Sequence, residues 1–165
     1  MAVRAALTGH QVYTTLHTND TLGAIPRLSD IGVPAHLIAG SLICILAQRL
    51  GRKLCNECKV QRPATAEECR ILEVDSSAPP LIYEAKGCET CGFKGYKGRT
   101  AVVEILRIDK GLDELIATHA TRSQILEYAI SRGFVDMVQD GISKVLAGEI
   151  DVAELMNTVD LTERL

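Results

Sequence analysis

Two cysteine pairs constrain this chain more than any other feature. Cys55-Asn56-Glu57-Cys58 and Cys88-Glu89-Thr90-Cys91 are C-x-x-C turns separated by 29 residues. Two residues between thiolates let one tight turn aim both sulfurs at a single ion. Two such turns complete the tetrahedron that Zn²⁺ favours in closed structural sites. Gly92 follows the second pair, where the backbone must reverse sharply and a positive φ suits glycine. Lys53, Lys59, Lys86 and Lys94 flank the pairs and offset the dianionic charge of a ZnS₄ centre. The interval exceeds the ~15–20 residues of common zinc motifs, so its ends are expected to meet while its middle forms an excursion. Disulfides and plain core cysteines are the competing readings. Disulfides are disfavoured in a cytosolic chain, and knuckles set among Lys and Glu do not look like core. A redox C-x-x-C opens one helix of a thioredoxin-like unit, and its duplication here argues against that role. Cys55, Cys58, Cys88 and Cys91 therefore read as the ligands of one structural zinc. Four protein sulfurs leave no open position for water or substrate, so the ion is a staple and not a catalyst. Chelation is then expected to loosen residues 51–110 more than the terminal helices. Cys44, in an apolar run, reads as a small core residue, and Cys69, beside Glu68 and Arg70, is a weak substitute ligand.

Composition narrows the classes around this centre. The 165 residues are 47% hydrophobic and 24% charged, a globular balance that excludes disorder and fibrous repeats. The longest apolar stretch, residues 37–47, is interrupted by Gly40 and Ser41 and falls far short of the ~20 residues of a bilayer span. No basic-then-apolar start marks a secretory signal, so a cytoplasmic location is expected. A net charge of −3 and 4% aromatic residues with no Trp argue against binding duplex or single-stranded nucleic acid.

Three blocks follow along the chain. Residues 1–50 carry three Lys/Arg and two Asp/Glu, residues 51–110 eleven and nine, and residues 111–165 four and ten. In the first block, residues 2–7 read as a helix closed by Gly9 in the left-handed conformation. Residues 11–17 are β-branched and aromatic and read as a strand. Asn19 or Asp20 can accept from the free N–H groups of a helix over 21–31, where Pro26 demands a kink or a late start. Residues 35–49 read as a nearly all-apolar, deeply buried helix. The second block is loop-rich, with strands expected over 81–85 and 100–106 and a short helix within 64–73. The third block is helical: Thr121 and Gln124 have capping-box spacing, Arg132-Gly133 marks a stop, a second helix ends at Gly148, and Asp151 with Glu154 caps a third.

Catalytic motifs are incomplete. No G-x-x-x-x-G-K-[ST], H-E-x-x-H or G-x-S-x-G occurs. What remains is the end of the expected first strand, Thr14-Thr15-Leu16-His17-Thr18-Asn19-Asp20. Ligands of open α/β sheets bind beyond the carboxyl ends of strands, and a His there can orient a water or sense a phosphate.

Ala2-Val3-Arg4-Ala5-Ala6-Leu7-Thr8-Gly9-His10 with Thr15-Leu16-His17-Thr18-Asn19-Asp20 resembles the His-box region of the secretion ATPase superfamily, the motors of type II secretion and type IV pilus assembly. Ala47-Gln48-Arg49-Leu50 leading into the first cysteine pair, Gly95-Tyr96-Lys97-Gly98-Arg99-Thr100 through Glu104, and Asp140-Gly141 with Lys144-Val145 and Gly148 resemble the same family, in the same order. The tetracysteine element points to secretion or pilus-extension motors and away from retraction motors. The resemblance implies an α/β fold: the C-terminal remnant of a RecA-like P-loop ATPase domain with its His box (1–50), a tetracysteine zinc-binding subdomain (51–110) and a C-terminal helical subdomain (111–165). It implies that His17 senses or positions a γ-phosphate, with Thr18 and Asn19 beside it, and that Arg4 and Arg49 serve at subunit interfaces or in structure. A parent motor would be a hexamer using ATP and Mg²⁺, cytoplasmic and peripheral to the inner membrane, working on inner-membrane platform proteins. Family members also carry an N-terminal domain, a phosphate loop, acidic boxes and a Walker B segment, none of which appears here. The chain is therefore expected to be a fragment that neither hydrolyses ATP nor binds it usefully alone. The reading from a different class is a stand-alone zinc-stapled protein-interaction module without nucleotide chemistry.

Overall fold

The computed structural model describes residues 2–161, and these divide into two compact units. One comprises the chain up to Ala47 together with Glu104–Val135; the other comprises Gln48–Val103 and the chain from Asp136 onward.

In the first unit, helix α1 (Ala2–Leu7) ends as expected at Gly9, which takes φ +88. His10 N–H donates to the Ala5 carbonyl and Gly9 N–H to that of Ala6, the paired bonds that satisfy the last helical carbonyls. Residues 11–17 are not a strand. They run as irregular backbone with 11–15 exposed, because β propensity reflects packing on a pleated, half-buried surface and no strand among the described residues pairs with them. Helix α2 (Ala24–Asp30) starts late, so Pro26 falls in its first turn, where a missing N–H is tolerated. The expected long helix over 35–49 is replaced by a four-residue helix α3 (Ala35–Ile38), a break at Gly40 (φ +88) and the strand β1 (Cys44–Leu54). A continuous apolar run cannot by itself distinguish buried helix from strand. Along 44–47 exposed Cys44 and Leu46 alternate with half-buried Ile45 and Ala47, a period of two. Cys44 is therefore an exposed strand residue and not a core one. Helices α5 (Lys110–Ala117) and α6 (Arg122–Ser131) complete this unit, capped by Asp109 and by the Thr121–Gln124 capping box. Its core gathers Leu22, Ile25, Ile38, Leu106, Leu112, Ile116, Ile125 and Ala129.

The second unit is built around a hairpin with an insertion. Strands β2 (Val60–Pro63) and β3 (Leu81–Glu84) pair antiparallel, with Val60 opposite Glu84 and Pro63 opposite Leu81. The intervening segment folds as the excursion anticipated from the cysteine spacing and carries helix α4 (Ala66–Ile71), opened by a Thr65–Glu68 capping box. Arg62 ties both together: its guanidinium reaches Glu84 on β3 at 2.6 Å and Glu68 on α4 at 2.6 Å. Strand β4 (Tyr96–Arg107) is hydrogen-bonded to β1. Helices α7 (Met137–Leu146) and α8 (Val152–Thr158) begin at Asp136 and Asp151, each accepting from the backbone N–H three residues on. Val145, Ile150 and Leu155 are fully buried among them, as is Ile82 on β3.

Candidate metal centre and His-bearing loop

The hairpin explains how distant cysteines meet. Cys58 lies two residues before β2 and Cys88 four residues after β3, so pairing the strands carries the two knuckles to the same end. The four Sγ atoms all lie within 4.8 Å of one another. Cys55 and Cys88 are separated by 4.0 Å, and Cys58 and Cys88 each lie 3.9 Å from Cys91. Sulfurs bound tetrahedrally at ~2.3 Å from one ion stand about 3.8 Å apart, whereas a disulfide requires about 2.05 Å. The spacing fits a shared ion, and all six cysteines are free thiols. Cys69, buried in α4, is not among the four.

Backbone donors face the sulfurs. Gly87 N–H donates to Cys58 Sγ at 3.3 Å, while the N–H groups of Cys88 and Gly95 donate to Cys91 Sγ at 3.2 Å. These bonds favour thiolate over thiol. The Cys88 N–H, with that of Gly95, pulls the Cys91 thiol down to about 6. Loss of solvent pushes Cys58 up to about 11, partly opposed by the Gly87 N–H. The glycines here are required by contact. A Cβ at Gly87 would lie 2.7 Å from the Phe93 carbonyl oxygen, and one at Gly95 would lie 2.6 Å from the Ala85 Cβ. Gly92 and Phe93 both adopt φ +60 in the turn behind the second knuckle.

In the first unit, His17 is exposed on irregular backbone, with Thr18 half-buried and Asn19 exposed beside it. The loop they occupy is pinned immediately afterwards. Asp20 Oδ1 accepts from Gly23 N–H at 2.6 Å, and the Asp20 carboxylate receives both Arg122 Nη groups at 3.2 and 3.0 Å. Burial would raise the Asp20 carboxyl, but Arg122 and the Gly23 N–H outweigh it and hold the group below its ordinary range. The next residue, Thr21, is fully buried and donates its N–H to the buried Glu104 carboxylate at 2.5 Å. Arg122 and Glu104 are thus anchors that residue-by-residue reading missed. They lie 102 and 83 positions from their partners, and no local pattern encodes such pairings.

A profile described as type II/IV secretion system protein matches residues 1–157. The chain belongs to that family. It is 42% identical over 156 residues to the type II secretion system ATPase E of Vibrio cholerae, covering 94% of this chain and 31% of that protein. It is 41% identical to the type II secretion system protein E of Pseudomonas aeruginosa, with the same coverage of 94% and 31%. It is 38% identical to the type IV pilus assembly ATPase PilB of Myxococcus xanthus, covering 94% of this chain and 28% of that one. The chain spans about a third of the length of these family members. Among the described residues no helix is long and apolar enough to cross a membrane.

Proposed function

We propose that this chain is the C-terminal part of a hexameric ATPase motor that powers type II secretion or type IV pilus assembly, stapled by a structural Zn²⁺ on Cys55, Cys58, Cys88 and Cys91. The supporting observation is collinear identity with proteins named as secretion and pilus-assembly ATPases along 94% of the chain. On this reading the first block is the remnant of a RecA-like nucleotide domain, and the C-terminal helices expected as one subdomain are shared out, α5 and α6 to the first unit and α7 and α8 to the second. His17, with Thr18 and Asn19, faces the phosphate end of an ATP·Mg²⁺ bound by upstream segments. The whole motor acts in the cytoplasm against inner-membrane platform proteins. Phosphoryl transfer depends on positioning and electrostatic preorganisation. The anchoring of the loop through Asp20 and Thr21 supplies the positioning that such a role needs.

Zinc fits the donor set, since four thiolates in a tetrahedron select zinc or an iron–sulfur site and leave no position for a reacting ligand. When bound, the ion supplies cross-linking and no bond-making chemistry.

The motor reading is tested with a chimera in which this chain replaces the matching third of the Vibrio cholerae ATPase. The chimera is expected to hydrolyse ATP, and His17→Ala to lower its kcat at least tenfold while the hexamer persists. Equal turnover with and without His17 would defeat the assignment.

A further inference from the structure

Both flanks of the first metal knuckle are bonded to one turn of the C-terminal helices. Leu54, the residue before Cys55, donates its N–H to the Glu149 carbonyl at 2.8 Å. Lys59, the residue after Cys58, donates its ammonium to the Gly148 carbonyl at 2.8 Å. The same ammonium lies 4.6 Å from the centre of the Tyr83 ring. Tyr83 in turn fills the space beside Gly148, where a Cβ would lie 2.5 Å from Tyr83 Cδ2. Gly148 takes φ +69, so the turn between α7 and α8 accepts this close approach only with glycine. The backbone of the knuckle itself is closed by the Lys59 N–H on the Cys55 carbonyl at 2.9 Å. Moving Cys55 and Cys58 apart therefore displaces both donors that hold residues 148 and 149.

We propose that Lys59 is a positioning residue that couples the metal centre to the α7–α8 turn, so that metal occupancy sets the order of the C-terminal helices. The inference rests on the reading of the four cysteines as a metal site. It revises the expectation that chelation loosens residues 51–110 ahead of the terminal helices: the turn at 148–149 loosens with the knuckles. A charged donor on a carbonyl contributes enough to shift local opening roughly ten- to a hundredfold.

Hydrogen exchange read by mass spectrometry on the whole chain tests this, with Zn²⁺ loaded and then removed by a chelator. Metal content by elemental analysis, and Co²⁺ thiolate absorption after substitution, establish occupancy first; a protein that binds neither ion defeats the metal reading itself. With occupancy established, chelation is expected to speed exchange at 146–150 at least tenfold, together with 54–59 and 87–95, while α4 stays protected. In Lys59→Met the apolar stem remains against Tyr83 but the ammonium is gone. That variant is expected to keep its Co²⁺ bands while exchange at 146–150 is already fast in the loaded protein and rises little more on chelation. Unchanged protection of the turn upon metal loss overturns the coupling. Equal loosening of α4 and the turn does so too, because it marks general unfolding of the unit.

Discussion

Gly141 offers the sharpest test of the packing. A glycine within a helix costs about 1 kcal/mol relative to alanine, so helix propensity alone makes Gly141→Ala in α7 a stabilising change. The structure reverses the sign. Gly141 is buried, and a Cβ there would lie 2.3 Å from Leu155 Cδ1 on α8 and 3.4 Å from Val102 Cγ1 on β4. Carbon atoms in good contact sit about 3.5–4.0 Å apart, so Leu155 would have to retreat by more than ~1 Å. Both Leu155 and Val102 are 0% exposed, which leaves them nowhere to go. Overpacking of this kind costs about 1–3 kcal/mol, and the propensity gain offsets part of it. A net loss of about 1 kcal/mol is expected. Urea unfolding followed by far-UV circular dichroism, at saturating Zn²⁺, should show a midpoint lower by roughly 0.5 M with unchanged slope. Leu155→Ala alone should lose ~2–5 kcal/mol, but adding Gly141→Ala to it should be neutral or stabilising, since the obstructing methyl groups are gone. An alanine at 141 that stabilises the otherwise unaltered protein would refute the account of how α7 meets α8.

Two further outcomes concern the cysteines and the Arg62 ion pair. Cys58→Ser should weaken Zn²⁺ binding by at least a hundredfold in a competitive chelator titration, whereas Cys44→Ala, at an exposed strand position, should leave both metal content and melting temperature unchanged. Arg62 holds the Glu68 carboxyl at about 2, against an ordinary value of 4.5. The folded state thus favours the ionised form, so the stabilisation is complete above pH 4.5 and is lost as pH falls towards about 2. Glu68→Gln should flatten the acid limb of the stability profile over that window, measured by urea midpoints at stepped pH, and an unchanged acid limb would show that the Arg62 contact does not persist in solution.

Much of the chain was legible wherever short-range chemistry decides. The cysteine spacing called for two knuckles and an intervening excursion, and the β2–β3 hairpin with α4 inserted is that arrangement. Helix ends were equally readable, because Gly9, Thr121–Gln124, Gly133, Gly148 and Asp151 act on backbone groups within four residues of themselves. Collinear motifs carried the family, since they record residue types at fixed offsets and require no three-dimensional knowledge.

Tertiary structure alone decided the remainder. Residues 11–17 have the composition of a strand, yet a strand exists only where another chain segment presents its hydrogen-bonding edge. Residues 44–49, read as the end of a buried helix, could satisfy their backbone that way or against β4, and the partner settled it; Cys44 changed from core to surface with that choice. The pins on the His17 loop come from Glu104 and Arg122, and those on the metal knuckle from Gly148 and Glu149. Each joins residues remote in sequence, and their side chains and carbonyls acquire those partners only when folding brings them together.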